Sequence, residues 1–314
     1  VEEGTHKDLL QKEGLYKTLW EAQVGGVLGG REEKYFMKNR LLKWLPVIAI
    51  FVISMWLIQK GQDKSFPELS SHKNFPLQSV EPGTLVLYDV DETLVQPTDV
   101  YLVNEQSPEA RTLIQNFQKE NPTFRGWDNL VSVLLRDAHR PLIEVSVLDV
   151  IQKIRKQGGK VIALTSMNTG RVGFYDKMEK WRYEHLRFLG FVGDFGNHVF
   201  KFSGFKRRPL FYQGILAADL EDKGKVLGAF LRKIGWTPHK IIAIDDDLMA
   251  LKVIRAYCEK ASIPFRGYLY MGYTKKAWDE KLVRFQAHHL LKKKKWLSDT
   301  EAKSQMQKAP REEV

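Results

Sequence analysis

The sequence predicts an α/β protein with a mainly parallel central sheet, on three observations. From about Gly83 to Gly272, short β-branched runs alternate with helical patterns, the signature of βα units. Two of those runs end in aspartates, at Asp89-Val90-Asp91 and Asp245-Asp246-Asp247, on the strand edge where α/β proteins place their sites. The composition, 43% hydrophobic and 28% charged over 314 residues, fits a globular chain. It excludes a wholly disordered, collagenous or multi-span membrane protein.

Strands are expected at Thr84–Tyr88, Lys160–Leu164, Lys240–Ile244 and Phe265–Tyr270, each a short apolar run suited to a sheet buried on both faces. Helical spacing predicts helices over Pro108–Lys119, Val145–Gln157, Asp176–Leu189, Lys225–Ile234 and Leu248–Lys260. No internal repeat is present. The stretch between the first two strands is long enough for a small helical cap, which Asn121 to Trp127 divides in two. Phe191 to Tyr212 is rich in glycine and aromatics. Its Lys206-Arg207-Arg208 reads as an exposed basic turn or as part of a hairpin meeting an anionic substrate.

Outside residues 83–272 the chain changes character. Residues 61–82 read as a linker with three prolines, and residues 273–314 as a basic tail in which Lys292–Lys295 with Trp296 are solvated, contact with anionic lipid being the alternative. Lys38, Arg40 and Lys43 precede an uncharged apolar stretch from Trp44 to Ile58. That arrangement, over residues 37–60, is a signal peptide or signal anchor, with an N-terminal hydrophobic helix. No small-residue cleavage site follows, which favours the anchor. Membrane contact is expected through residues 41–58. Cations on the N-terminal side hold that end in the cytoplasm, so the protein is expected anchored in the inner membrane or exported, with a periplasmic catalytic domain. A cytoplasmic accessory protein is the alternative.

Residues 1–36, with Val1-Glu2-Glu3-Gly4-Thr5-His6 and Leu19 to Gln23, resemble the C-terminal tail of an ABC-transporter ATP-binding subunit. They contain no phosphate-binding glycine loop and are expected to be read-through from an upstream gene, with Met37 the natural start. The net charge is +11, but most of the excess lies in residues 37–64 and 273–314. Without a zinc finger, an RNP-like strand or a basic–aromatic groove, that pattern argues against a nucleic-acid partner. The single cysteine, Cys258, excludes an internal disulfide and a Cys-rich zinc site.

The chemistry is expected at four places in chain order. Thr84 to Tyr88 runs into Asp89 and Asp91, whose carboxylates, one residue apart, repel unless a hard cation such as Mg²⁺ relieves them. Val161 to Leu164 ends in Thr165-Ser166, a hydroxyl at the same edge. Lys223-Gly224-Lys225 offers a cation at a helix start. Ile241 to Ile244 ends in the second acidic cluster.

In that order these segments resemble the four motifs of the haloacid dehalogenase (HAD) superfamily, over about Gly83 to Gly272, and most of all a bacterial branch of it. The resemblance implies a HAD-like Rossmannoid fold and a Mg²⁺-dependent phosphohydrolase acting on a phosphorylated small molecule through an aspartyl-phosphate. It implies Asp89 as nucleophile, Asp91 as general acid then base, Thr165 as hydrogen-bond donor to the phosphoryl group and Lys223 as charge-offsetting cation. Asp89, the main-chain carbonyl of Asp91, and Asp245 would hold the metal, with Asp246 completing its surroundings. Thr93 would brace the turn. Ser166 for Thr165, Lys225 for Lys223 and a share of the metal for Asp247 stay open. A catalytically silent HAD-like scaffold that binds a protein partner is the competing reading.

Overall fold

The central strands are continuous apolar runs, and in the computed structural model, which describes residues 66–121 and 126–308, they form the middle of an eight-stranded sheet. In chain order the strands are β1 (Glu68–Leu69), β2 (Thr84–Tyr88), β3 (Lys160–Thr165), β4 (Val199–Lys201), β5 (Leu210–Tyr212), β6 (Ile215–Ala217), β7 (Lys240–Asp245) and β8 (Phe265–Tyr270). Their order across the sheet is β1-β8-β7-β2-β3-β6-β5-β4. The pairs from β1 to β6 across this order are parallel. β5 and β4 add an antiparallel margin. This is a mixed α/β, Rossmann-like arrangement.

The helices are α1 (Val100–Val103), α2 (Pro108–Glu120), α3 (Trp127–Asp137), α4 (Val147–Lys156), α5 (Met178–Phe188), α6 (Lys223–Ile234), α7 (Leu248–Lys260), α8 (Glu280–Lys293) and α9 (Asp299–Lys308). Successive side chains of a strand point to opposite faces, and the core divides accordingly. Val86, Tyr88, Val161, Ala163, Ile242 and Ile244 meet Val147, Val150, Ile151 and Ile154 of α4. Leu85, Leu87, Ile162, Leu164, Ile241 and Ala243 meet α6 and α7 through Val226, Leu227, Phe230, Leu251 and Ile254.

Register decides what reaches the sheet edge. Tyr88 lies opposite both Ala163 and Ile244, and the Asp89 N–H donates to the Ile244 carbonyl at 2.9 Å. Asp89 and Asp245 therefore emerge beside each other. Thr165 pairs with Ala217, so the chain leaving β6 also turns at this edge before entering α6. Asp222 caps α6, its carboxylate accepting from the Lys225 N–H at 2.9 Å.

The two flanks differ from the sequence expectation. The expected linker before β2 is built into the fold: β1 pairs with β8, and Phe66, Leu69, His72, Phe75 and Val80 are buried. These residues, apolar apart from His72, are spaced irregularly among prolines, so no periodicity announces them. The expected basic tail folds as α8 and α9 against the insertion between β2 and β3, which carries α1 to α3. Leu282, Val283, Leu297 and Ala302 pack with Val100, while Leu290 and Trp296 pack with Leu130 and Val133. Trp296 is 2% exposed and its indole N–H donates to Asp99 at 2.9 Å. Asp299 accepts from the Val100 N–H at 3.1 Å. One helix face is apolar although the run Lys292–Lys295 makes the segment look solvated.

The expectation of a membrane-anchored protein is corrected: among the described residues no helix is long and apolar enough to cross a membrane. Their helices are short and amphipathic, the longest, α8, having 14 residues and carrying lysine, arginine and histidine, against the roughly 20 apolar residues a span needs. Residues 1–36 and the apolar stretch at 41–58, on which the fragment and anchor readings rested, lie outside the described residues.

Candidate active site

β2 delivers Asp89 to the sheet edge 7% exposed, and a tight turn follows. The N–H groups of Leu94 and Val95 both donate to the Val90 carbonyl, and Glu92 donates to Val95. Glu92 takes the left-handed conformation, φ 60°, that this closure requires. The turn is braced from two sides. The Thr93 hydroxyl donates to Asp246 Oδ1 at 3.1 Å and accepts from the Asp246 N–H at 3.2 Å. The Thr93 carbonyl accepts from Nε2 of His72 at 3.0 Å, with the imidazole assigned as neutral. Burial pulls His72 below its ordinary value, and its ring stacks on Tyr270 at 4.4 Å.

Lys223, the first residue of α6, is 5% exposed. Its Nζ donates to Asp89 Oδ1 at 2.6 Å and to Asp245 Oδ2 at 2.7 Å. Gly224 makes this placement possible: a Cβ there would lie 2.3 Å from the Val253 carbonyl oxygen of α7, so only glycine lets the start of α6 approach so closely. Burial alone would lower the Lys223 ammonium, but Asp89 and Asp245 hold it above its ordinary value. Burial pushes Asp89 up to about 7, the Lys223 charge opposing the rise and the charges of Asp245 and Asp91 adding to it. Asp245 is raised as well, by burial against the pull of Lys223.

Carboxylate oxygens of Asp89, Asp245 and Asp246 lie within 4.8 Å of one another. Asp246 is pushed up to about 7 by burial, then by the charges of Asp89 and Glu92. Three carboxylates around a single ammonium leave negative charge uncompensated, and hard oxygen donors in this number suit a small divalent cation. The residues present fit such an ion.

Among the residues singled out from sequence, Asp89, Lys223, Asp245 and Asp246 converge directly. Lys225 is exposed, and its backbone N–H donates to the Asp222 carboxylate. Asp247 caps α7, accepting from the Met249 N–H at 2.8 Å. Thr165, 2% exposed at the end of β3, accepts from the Met167 N–H at 3.2 Å, while Ser166 is exposed. The carboxylate of Asp91 has a separate partner: both its oxygens accept from Nη2 of Arg182 on α5, each at 2.8 Å. Arg182 was not anticipated. Its signal was positional, since it lies four residues from each of the buried Met178 and Leu186, on the apolar face of the helix.

Fold and site together define an α/β protein with a buried carboxylate–lysine cluster at the ends of parallel strands. The chain belongs to the family described as "Protein of unknown function (DUF2608)", whose model matches residues 64–303. The match takes in residues from both flanks that the structure builds into the fold, and it does not extend to residues 1–36. No curated protein matches. Among solved structures, the chain is similar to the crystal structure of a HAD family hydrolase from Salmonella enterica serovar Typhi, at 11% identity and a TM-score of 0.32, over 62% of this chain and 70% of that one. A likeness so distant assigns no activity.

Proposed function

We propose that this protein is a Mg²⁺-dependent phosphomonoesterase of HAD type, working through an aspartyl-phosphate on Asp89. One observation carries the reading: Lys223 bridges Asp89 and Asp245 at 2.6 and 2.7 Å, with Asp246 beside them and a second aspartate two residues beyond Asp89. The same four segments resemble the HAD motifs in order.

In this reading a carboxylate oxygen of Asp89 attacks phosphorus and the bond to the leaving oxygen breaks. Asp91 passes a proton to that oxygen, releasing an alcohol. A water molecule then attacks the aspartyl-phosphate, Asp91 takes its proton, and inorganic phosphate leaves with Asp89 restored. Lys223 offsets charge on Asp89 and on the phosphoryl oxygens, and the Thr165 hydroxyl donates to one of them. Asp89, the main-chain carbonyl of Asp91, and Asp245 would hold Mg²⁺, with Asp246 next to them. The ion, when bound, would neutralise charge developing on the transferring group. The substrate class is a phosphorylated small molecule.

The test is phosphate release from a panel of phosphomonoesters with Mg²⁺ and with EDTA. Turnover that EDTA abolishes and Mg²⁺ restores is expected. Silence across the panel with Mg²⁺ present would return the protein to the scaffold reading.

A further inference from the structure

Arg182 is an uneconomical residue if its purpose is stability. Its side chain is 5% exposed, whereas the Asp91 side chain that it holds is 51% exposed. Nε and Nη1 of Arg182 are buried without a hydrogen-bond partner among the described residues. A half-paired buried guanidinium costs more in lost hydration than one such contact returns. A second guanidinium adds to the cost. Arg140, whose Nη1 donates to the carbonyls of Leu134 and Ala138, is lowered by burial and then by the charge of Arg182.

The placement is nonetheless well defined. The guanidinium lies over the Trp181 ring, 4.9 Å from its centroid. One turn further along α5, His185 is tied through Nε2 to the Arg140 carbonyl at 2.8 Å. Burial, followed by the Arg182 charge, lowers His185 to about 4, so it adds no third cation near neutrality. Among the described residues, Arg182 is the side chain that hydrogen-bonds Asp91, and one Nη2 reaches both carboxylate oxygens. Asp91 itself sits on a turn with its side chain 51% exposed.

We propose that Arg182 is a positioning residue that fixes the Asp91 side chain where it serves the leaving oxygen, a service that phosphomonoesters of alcohols need because their alkoxides cannot leave unprotonated. This deepens the phosphohydrolase reading and rests on it. The hydrogen bonds of Arg182 go to Asp91 and none of them to Asp89, so its removal spares attack on phosphorus and frees only the side chain that serves the leaving oxygen. Substrates with a leaving group stable as an anion, such as p-nitrophenyl phosphate, do not need that proton.

The experiment measures kcat/KM for the full chain with Mg²⁺ on an alkyl phosphate and on p-nitrophenyl phosphate. This parameter reports only steps through departure of the alcohol, so the later use of Asp91 as base does not enter. Arg182→Gln is expected to lose about 10- to 100-fold on the alkyl ester, part of the 10²–10⁴ that general acid catalysis supplies, and less than about threefold on the aryl ester. Asp91→Asn should show the same selectivity more strongly, and the double variant should be no worse than Asp91→Asn alone. Arg182→Lys keeps the charge without the planar guanidinium; it should show the same selective loss to a smaller degree, and it carries the test if Arg182→Gln does not fold.

Equal losses on both esters in a folded variant, or no loss, would overturn the assignment. Wild-type protein silent on both esters would overturn the phosphohydrolase reading, and this proposal with it. Selective failure of the variants alone concerns only Arg182.

Discussion

The two ion-paired aspartates at the head of the site are built oppositely. Asp89 is buried and shares one buried ammonium with a second buried carboxylate, whereas Asp91 is half-exposed and faces a buried guanidinium of its own. The first arrangement concentrates negative charge where a cation and a phosphoryl group would sit. The second ties one half-exposed carboxylate to a buried partner on a helix. The difference teaches that neighbouring carboxylates on one turn acquire separate environments from the partners that the fold brings to them, as much as from their own sequence spacing.

The largest expected departure between the two pairs comes from removing their cations in turn. Lys223→Met leaves Asp89 and Asp245 buried together without a counter-charge, so it should cost about 3–5 kcal/mol of stability and abolish phosphate release. Arg182→Gln should alter substrate preference as described above while the Asp89 cluster stays intact. Urea unfolding of both variants measures the contrast. A Lys223→Met protein as stable as wild type would show that the buried cluster is not held by that ammonium.

A smaller effect sharpens the same comparison. Asp246 stands at about 7 in the folded chain against an ordinary value of 3.8, and Asp89 is raised likewise. At these two groups the folded state therefore binds more protons than the unfolded chain across that window, and their contribution to the stability of the metal-free protein falls as pH rises from about 4 to about 7. A divalent cation needs these carboxylates ionised. The Mg²⁺-induced rise in melting temperature should accordingly be larger at pH 8 than at pH 5.5. Equal rises at the two pH values would remove the cluster as the binding place.

The parts of the fold read most directly from sequence are those whose pattern and burial agree. β2, buried at all five positions, β8 and α7 have the expected bounds, and α6 starts at Lys223, two residues early, because Asp222 caps it. Asp89, Lys223, Asp245 and Asp246 were legible because each ends an apolar strand or opens a helix at the same edge. Elsewhere local pattern was too brief or was masked by charge. β6 has three residues and takes its identity from pairing with β3. The 66–80 segment has no period. α8 and α9 hide an apolar face behind lysines, and Arg182 stands where helical spacing calls for a leucine or methionine. Tertiary partners, which one sequence read locally does not display, decide all of these.

The central claim is that Asp89 takes up the phosphoryl group, and it is tested most directly by acid-quenched intact-mass spectrometry during turnover of a phosphomonoester with Mg²⁺. The account predicts a single phosphoryl adduct that maps to Asp89 and is absent from Asp89→Asn, whose phosphate release falls by about 10⁴-fold or more. An Asp89→Asn protein that still turns over at the wild-type rate, or an adduct on another residue, would contradict it.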